Sequence, residues 1–157
     1  HAKQRAIELW EMGQHHHLEG DIDTAIDHYD RSIAVYPTAE AHTFRGWAYS
    51  FRGDVEEAIE ECKTAIEVDP SFGNPYNDIG SYLMRLGRFA EAPAWLEQAK
   101  TAERYEPRHF PYMNLARLYA HLGQLARAID ELDSALQIAP DEPTCRGMRA
   151  QLRRMLN

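Results

Sequence analysis

The chain of 157 residues has a typical length for one domain, and its apolar fraction of 44% is enough for a continuous core. The formal net charge of −8 argues against a nucleic-acid partner, which needs a basic face to neutralise phosphates, and against an anionic membrane surface. No apolar run approaches the about 18 residues that a membrane-spanning helix requires.

Capping residues and glycines divide the chain into short amphipathic helices. Asp21 or Asp23 is expected to cap the second helix, and Pro37 to end it. Glycines suited to the left-handed turn after a helix occur at Gly20, Gly53, Gly87 and Gly123. The predicted helices are Ala2–Leu18, Ile22–Val35, Glu40–Phe51, Val55–Val68, Asn74–Leu86, Phe89–Arg104, Arg108–Leu122, Leu125–Ile138 and Thr144–Leu156.

One pattern of small and large residues occurs four times along these helices. Its most regular copy runs from Asn114 to Pro140. The aligned small residues are Gly13, Gly46, Gly80 and Ala116 in the first helices and Ala25, Ala58, Ala92 and Ala128 in the second, each followed by Tyr29, Cys62, Leu96 or Leu132. The first set is separated by 33, 34 and 36 residues, a period typical of stacked helical units.

This period and residue order resemble the tetratricopeptide repeat family. The resemblance implies an all-α, right-handed α-solenoid of four helix-turn-helix repeats, at about residues 6–38, 39–71, 73–107 and 109–141 of a single domain. We interpret residues 143–156 as a C-terminal capping helix; the alternative is the ninth helix of a longer array. The resemblance also implies that the first helix of each pair lines the concave side.

Two departures from the pattern fall in the third copy. Three extra residues precede Pro107, and they are expected to lie in a turn between copies. Pro93 is expected to lie one turn inside the second helix of this copy and to bend it.

Residues of the first helices outside the packed positions predict a peptide-binding groove. Aromatic side chains supply pockets for apolar groups, and asparagine side chains can pair with a peptide backbone. The candidates are Trp10, Phe44, Trp47 and Phe51 in the N-terminal half and Asn77, Asn114, Arg117 and His121 in the C-terminal half. The alternative for Phe44, Trp47 and Phe51 is packing under the neighbouring helix.

Some members of the family bind a C-terminal carboxylate with lysines, asparagines and an arginine at fixed groove positions. The corresponding positions here lack these cations, and Asp78 would repel a carboxylate. A carboxylate-binding groove of that type is therefore not expected.

No constellation of catalytic or metal-binding residues emerges from the sequence. His15, His16 and His17 are consecutive, and consecutive helical side chains point about 100° apart, so they do not converge on one ion. His16 is expected to pack and His17 to face the groove. No nucleophile is accompanied by a base and an orienting group, so we expect neither an enzyme nor a cofactor.

The sequence therefore predicts a non-enzymatic interaction module that binds a peptide or loop of a partner protein in its groove. Two alternatives stay open: a self-associating assembly protein that forms homo-oligomers, and a regulatory fragment of a larger enzyme. No secretory signal is visible in a chain that begins at His1 rather than Met, and a cytoplasmic location is the expectation.

Overall fold

The computed structural model describes residues 1–157, and its regular secondary structure is helical. The nine helices are α1 (Ala2–Leu18), α2 (Ile22–Val35), α3 (Ala39–Phe51), α4 (Val55–Val68), α5 (Asn74–Arg85), α6 (Ala92–Thr101), α7 (Phe110–His121), α8 (Leu125–Ile138) and α9 (Pro143–Leu156). The first eight form four pairs, and each pair packs on the next, so the predicted all-α solenoid is confirmed. None of these helices combines the length and the apolar character that crossing a lipid bilayer requires.

The turn inside each pair is built the same way four times. After α1, the Asp21 amide donates to the His16 carbonyl at 2.9 Å, and Gly20 between them has a φ of 85°. This arrangement satisfies helix-end carbonyls but needs a left-handed residue, which is why glycine suits the position. The same long turn bond closes the other pairs: Asp54 to Tyr49, Arg88 to Leu83 and Gln124 to Tyr119.

The two helices of a pair approach closely where the small residues lie. A Cβ atom added to Gly13 would lie 2.5 Å from the Tyr29 ring, and one added to Gly80 would lie 2.4 Å from Leu96. Tyr29 and Leu96 are themselves fully buried. The predicted role of the small residues at the helix crossings is therefore confirmed, because no larger side chain fits there without displacing a core residue.

The crossing glycines can be tested against a glycine that has free space around it. Gly147 lies on the exposed face of α9, and a Cβ there would meet no atom within 4 Å. Alanine normally stabilises a helix relative to glycine, by about 0.5–1 kcal/mol. We therefore expect Gly80→Ala to have a lower free energy of unfolding than Gly147→Ala, by roughly 1–3 kcal/mol. Urea titration followed by circular dichroism measures both, and equal stabilities would contradict the tight crossing.

The third repeat differs from the prediction in its second helix. Helix α6 begins at Ala92 and ends at Thr101, whereas the sequence predicted Phe89–Arg104. Pro93 consequently lies in the first turn, where the amide that proline lacks has no partner within the helix in any case. The expected bend is therefore wrong, because Pro93 begins the helix instead of interrupting it.

The extra residues of the third repeat form a loop, residues 102–107, that packs back on the preceding repeat. Gly73 donates its amide to the Arg104 carbonyl, and Arg104 donates its own to Ser71, both at 2.9 Å. The next residue, Tyr105, is buried directly against Gly73, where an added Cβ would lie 2.5 Å from the tyrosine. The loop lies at a junction between repeats, as expected, but it is ordered by long-range contacts instead of being a simple turn.

Helix α9 covers the apolar face of α8. Its Cys145 and Leu152 are buried in the main core cluster. On its outer side, the Arg149 guanidinium donates to Asp133 of α8 at 3.0 Å, and Arg153 lies 3.6 Å from the same carboxylate. Two basic side chains of the last helix therefore share one carboxylate of α8.

Candidate functional site

An aromatic cluster connects the first two repeats on the face formed by α1 and α3. Phe44 lies edge-on to Trp10 and to Trp47, with ring centroids 5.4 and 5.9 Å apart. All three rings are partly exposed, so they pack on one another and still present apolar surface. Phe51, one turn beyond Trp47, is 60% exposed at the edge of the cluster. The rings of the aromatic cluster are therefore both packed against one another and partly exposed to solvent.

Of the two histidines of α1 with expected positions, His16 packs as expected, whereas His17 is buried instead of facing an open groove. His17 is buried, its ring centroid is 3.9 Å from that of Trp47, and its Nδ1 lies 3.1 Å from the Tyr29 hydroxyl. Burial lowers the pKa of His17 to about 4, so the ring is neutral and serves as a packed aromatic. His16 is partly exposed and stacks on His28.

Beside the aromatic cluster lies a cavity of about 300 Å³, here called the central pocket. Helices α3, α5 and α7 and the 102–107 loop contribute to it. Its lining residues are Thr43, Phe44, Trp47, Asn74, Asn77, Asp78, Tyr105 and Phe110. It reaches the surface at Phe110, which is 42% exposed. Of the predicted groove residues, Phe44, Trp47 and Asn77 therefore meet in one place.

Asp78 is the charged group of the central pocket, and no group of the chain compensates its charge. The side chain is partly exposed to the pocket, but the protein around it removes much of its hydration without supplying an ion pair or a hydrogen bond. This burial raises the pKa of Asp78 to about 7, because the charged form loses hydration and gains nothing in return. Such a carboxylate lowers the stability of the fold at neutral pH.

The predicted amides bond to each other. The Asn114 amide donates to Asn77 Oδ1 at 2.9 Å, and Arg117 donates to Asn114 Oδ1 at 3.1 Å. Asn77 is buried and lines the central pocket, whereas Asn114 does not reach it. The pair therefore holds α5 against α7, and Asn77 is the member of the two that lines the central pocket.

Arg117 and His121 lie outside the central pocket, although Arg117 is bonded to Asn114. They line a separate cavity of about 360 Å³ between α7, α8 and α9, with Met148 and Leu152 on its far side. His121 also packs on Phe89, with ring centroids 4.5 Å apart. The C-terminal half of the expected groove is thus divided into two cavities.

Tyr105 is a pocket residue that sequence reasoning missed. It comes from the 102–107 loop, whereas the predicted groove residues all belong to the first helices of the repeats. The three added residues and the glycine at position 73 were the available signals, since an insertion that packs needs space opposite it.

Substituting Asp78 tests whether the carboxylate is uncompensated. Its native pKa of about 7 exceeds the ordinary value of 3.8, so the native state binds more protons between these values. The contribution of Asp78 to the free energy of unfolding is then greatest at low pH and falls as the pH rises to about 7. Asp78→Asn should therefore gain stability relative to wild type, by roughly 1–3 kcal/mol between about pH 5 and about pH 8.

Urea denaturation of both proteins at the two pH values measures this gain. The comparison of variant with wild type cancels other titrating groups, and Glu67→Gln on the exposed face of α4 is the control for a lost negative charge. An offset between Asp78→Asn and wild type that is the same at both pH values would show that the carboxylate has a partner.

The described residues include no group of three or more His, Cys, Asp or Glu side chains placed to share a metal ion. Cys62 and Cys145 are both free and buried. Burial raises the pKa of the Cys62 thiol well above its usual value, so this thiol is not a reactive thiolate.

Three models of the tetratricopeptide repeat match the chain, over residues 39–72, 74–105 and 111–152. Stacked helical pairs with a continuous concave surface define a class of protein-interaction scaffolds that are typically not enzymes. The chain belongs to the tetratricopeptide repeat family, which confirms the resemblance seen in the sequence, and it is a protein-interaction module.

Known relatives contain this region as part of longer proteins. The bacteriophage adsorption protein A of Escherichia coli is 26% identical over 151 residues, covering 93% of this chain and 15% of that protein. The chain spans 15%, 20% and 21% of the length of three curated relatives that it matches.

Two solved structures illustrate the shared fold. Pseudomonas aeruginosa PilF superposes with a TM-score of 0.90 at 20% identity, over 96% of this chain and 68% of that one. The second tetratricopeptide domain of Spaghetti (RPAP3), solved with the HSP90 peptide SRMEEVD, has a TM-score of 0.60 at 31% identity, over 64% of this chain and 94% of that one.

Proposed function

We propose that the concave face binds an extended peptide or loop of a partner protein, anchored in the central pocket. The observation that carries this proposal is a cavity of about 300 Å³ that combines exposed aromatic surface with polar groups. Small apolar cavities with a few polar groups are the usual form of a binding site. The peptide-bound Spaghetti domain, 31% identical over its matched part, supports this use of the fold.

The pocket residues supply two kinds of contact to such a segment. Phe110 and Trp47 offer ring faces to an inserted side chain, and aromatic anchors of this kind dominate binding energies in many interfaces. Asn77 accepts a bond from Asn114 through its oxygen, which leaves its own amide hydrogens to donate to a peptide carbonyl.

The ligand should differ in charge from the peptide of the Spaghetti complex. The sequence SRMEEVD contains three acidic residues. The central pocket contains Asp78 and no basic side chain, so an acidic anchor residue would be repelled. We therefore do not extend the HSP90 ligand to this chain.

A random-peptide library selected on the immobilised protein tests the proposal without a known partner. Enriched peptides are then measured by fluorescence anisotropy against wild type and Phe110→Ala. Phe110 is 42% exposed at the start of α7, so its truncation should leave the fold intact and weaken binding about tenfold or more.

Glu57→Ala, on the exposed face of α4, is the matched control and should bind like wild type. Loss of binding in Glu57→Ala with none in Phe110→Ala would move the site to the opposite face. A wild-type dimer in light scattering that Phe110→Ala dissociates would assign the groove to a second copy of the chain instead.

A further inference from the structure

We propose that the central pocket binds a cationic side chain, lysine or arginine, presented by the partner segment. The inference rests on the proposed function of the concave face and specifies its anchor residue. It starts from the carboxylate of Asp78, which lines the pocket without an ion pair or hydrogen bond from the chain. A charge that the protein largely desolvates is ordinarily paired, so an unpaired one on the wall of a cavity indicates a charged ligand.

Aromatic rings around the carboxylate suit the same ligand. Phe44, Trp47, Tyr105 and Phe110 line the pocket together with Asp78. Ring faces attract cations through their quadrupole and also pack on the methylene groups of a long side chain. A volume of about 300 Å³ suits one side chain instead of a complete small-molecule ligand.

The arginines around the pocket are committed elsewhere. Arg108 donates to the carbonyls of Lys100 and Ala102, both at 2.9 Å, and so binds the end of α6. Arg85 donates to the Ser50 carbonyl at 3.2 Å. No cation of the chain is thus available to neutralise Asp78.

Arg104, at the entrance of the neighbouring cavity, is likewise paired. It bonds to Asp69 at 2.6 Å and lies 3.6 Å from Glu40. That cavity is also lined by Glu106 and Trp10 and shares Phe44 and Tyr105 with the central pocket. Carboxylates along this approach, in a chain of net charge −8, favour the encounter with a basic segment.

The charge of Asp78 depends on pH in a range that experiments can reach. Burial raises its pKa to about 7, so the carboxylate is charged above this pH and neutral below it. The titratable groups that face it are Cys62 from α4, Tyr82 from α5 and Tyr105 from the loop, with Glu61 beside Cys62 and Arg108 beside Tyr105. The pKa of each of these thiol and phenol groups is raised, so they stay neutral near pH 7.

A double-mutant cycle with the enriched peptides tests the proposal. Each conserved lysine or arginine of a selected peptide is replaced by glutamine, and both peptides are measured against wild type and Asp78→Asn. We expect the replacement to weaken binding to wild type about 10–100-fold and binding to Asp78→Asn less than about threefold. Glu67→Gln, which removes a negative charge from the exposed face of α4, should behave as wild type.

The pH dependence is a second readout that a merely structural role would not produce. The lysine or arginine peptide should bind wild type about tenfold more tightly at about pH 8 than at about pH 6, because its own charge is constant over this range. The glutamine peptide, and either peptide with Asp78→Asn, should show no such change.

The outcomes separate this proposal from the function on which it rests. Selected peptides that bind through Phe110 but contain no lysine or arginine would overturn the cationic anchor and leave the groove in place. An equal loss from glutamine replacement in wild type and Asp78→Asn would also overturn it. Failure of the library to yield any binder would overturn the peptide groove, and the anchor with it. A preference between lysine and arginine peptides would identify the cation that the pocket takes.

Discussion

The close approach of the two helices in each repeat is the constraint on which the other features depend. Gly13 and Gly80 allow Tyr29 and Leu96 to lie against the backbone of the opposing helix. This contact sets how the pair packs, and each pair then offers one apolar face to the next. Stacking in one direction also brings α1, α3, α5 and α7 into contact with one another along one side of the array.

The 102–107 loop changes this surface from a plain groove into a set of cavities. Its backbone bonds to residues 71–73, and Tyr105 is buried against Gly73. Tyr105 becomes a wall of the central pocket, and Glu106 lies across the neighbouring cavity from Trp10. The loop therefore adds an aromatic ring and a carboxylate to the rings and carboxylates that the helices already bring to these cavities.

The carboxylate in the central pocket has an energetic cost that the rest of the fold does not offset. Asp78 loses hydration without compensation, which raises its pKa and destabilises the native state at neutral pH. A hydrophobic or amide side chain at position 78 would destabilise the native state less at neutral pH than the carboxylate does. Elsewhere the chain pairs its partly buried charges, as Arg45 and Glu61 show with bonds of 2.9 Å. The exception thus lies where a partner segment would supply the missing charge.

Most of the helices could be predicted from sequence because their signals are local. Turn glycines, capping residues and helical periodicity located α1, α2, α4 and α8 to the residue.

Helix α6 was misplaced because a proline fits the first turn of a helix as well as it disrupts the interior, and sequence spacing alone does not distinguish the two. The family followed from the repeat period and residue order, and the first helices that the resemblance singled out contain Phe44, Trp47 and Asn77, which line one cavity. Contacts between distant residues decided the rest: the pairing of Asn77 with Asn114, the burial of His17 on Trp47 and the place of Tyr105. Tertiary structure also decided that the Asp78 carboxylate has no charged partner. Whether a charge is compensated depends on every residue that folding brings near it, and a sequence shows only its neighbours along the chain.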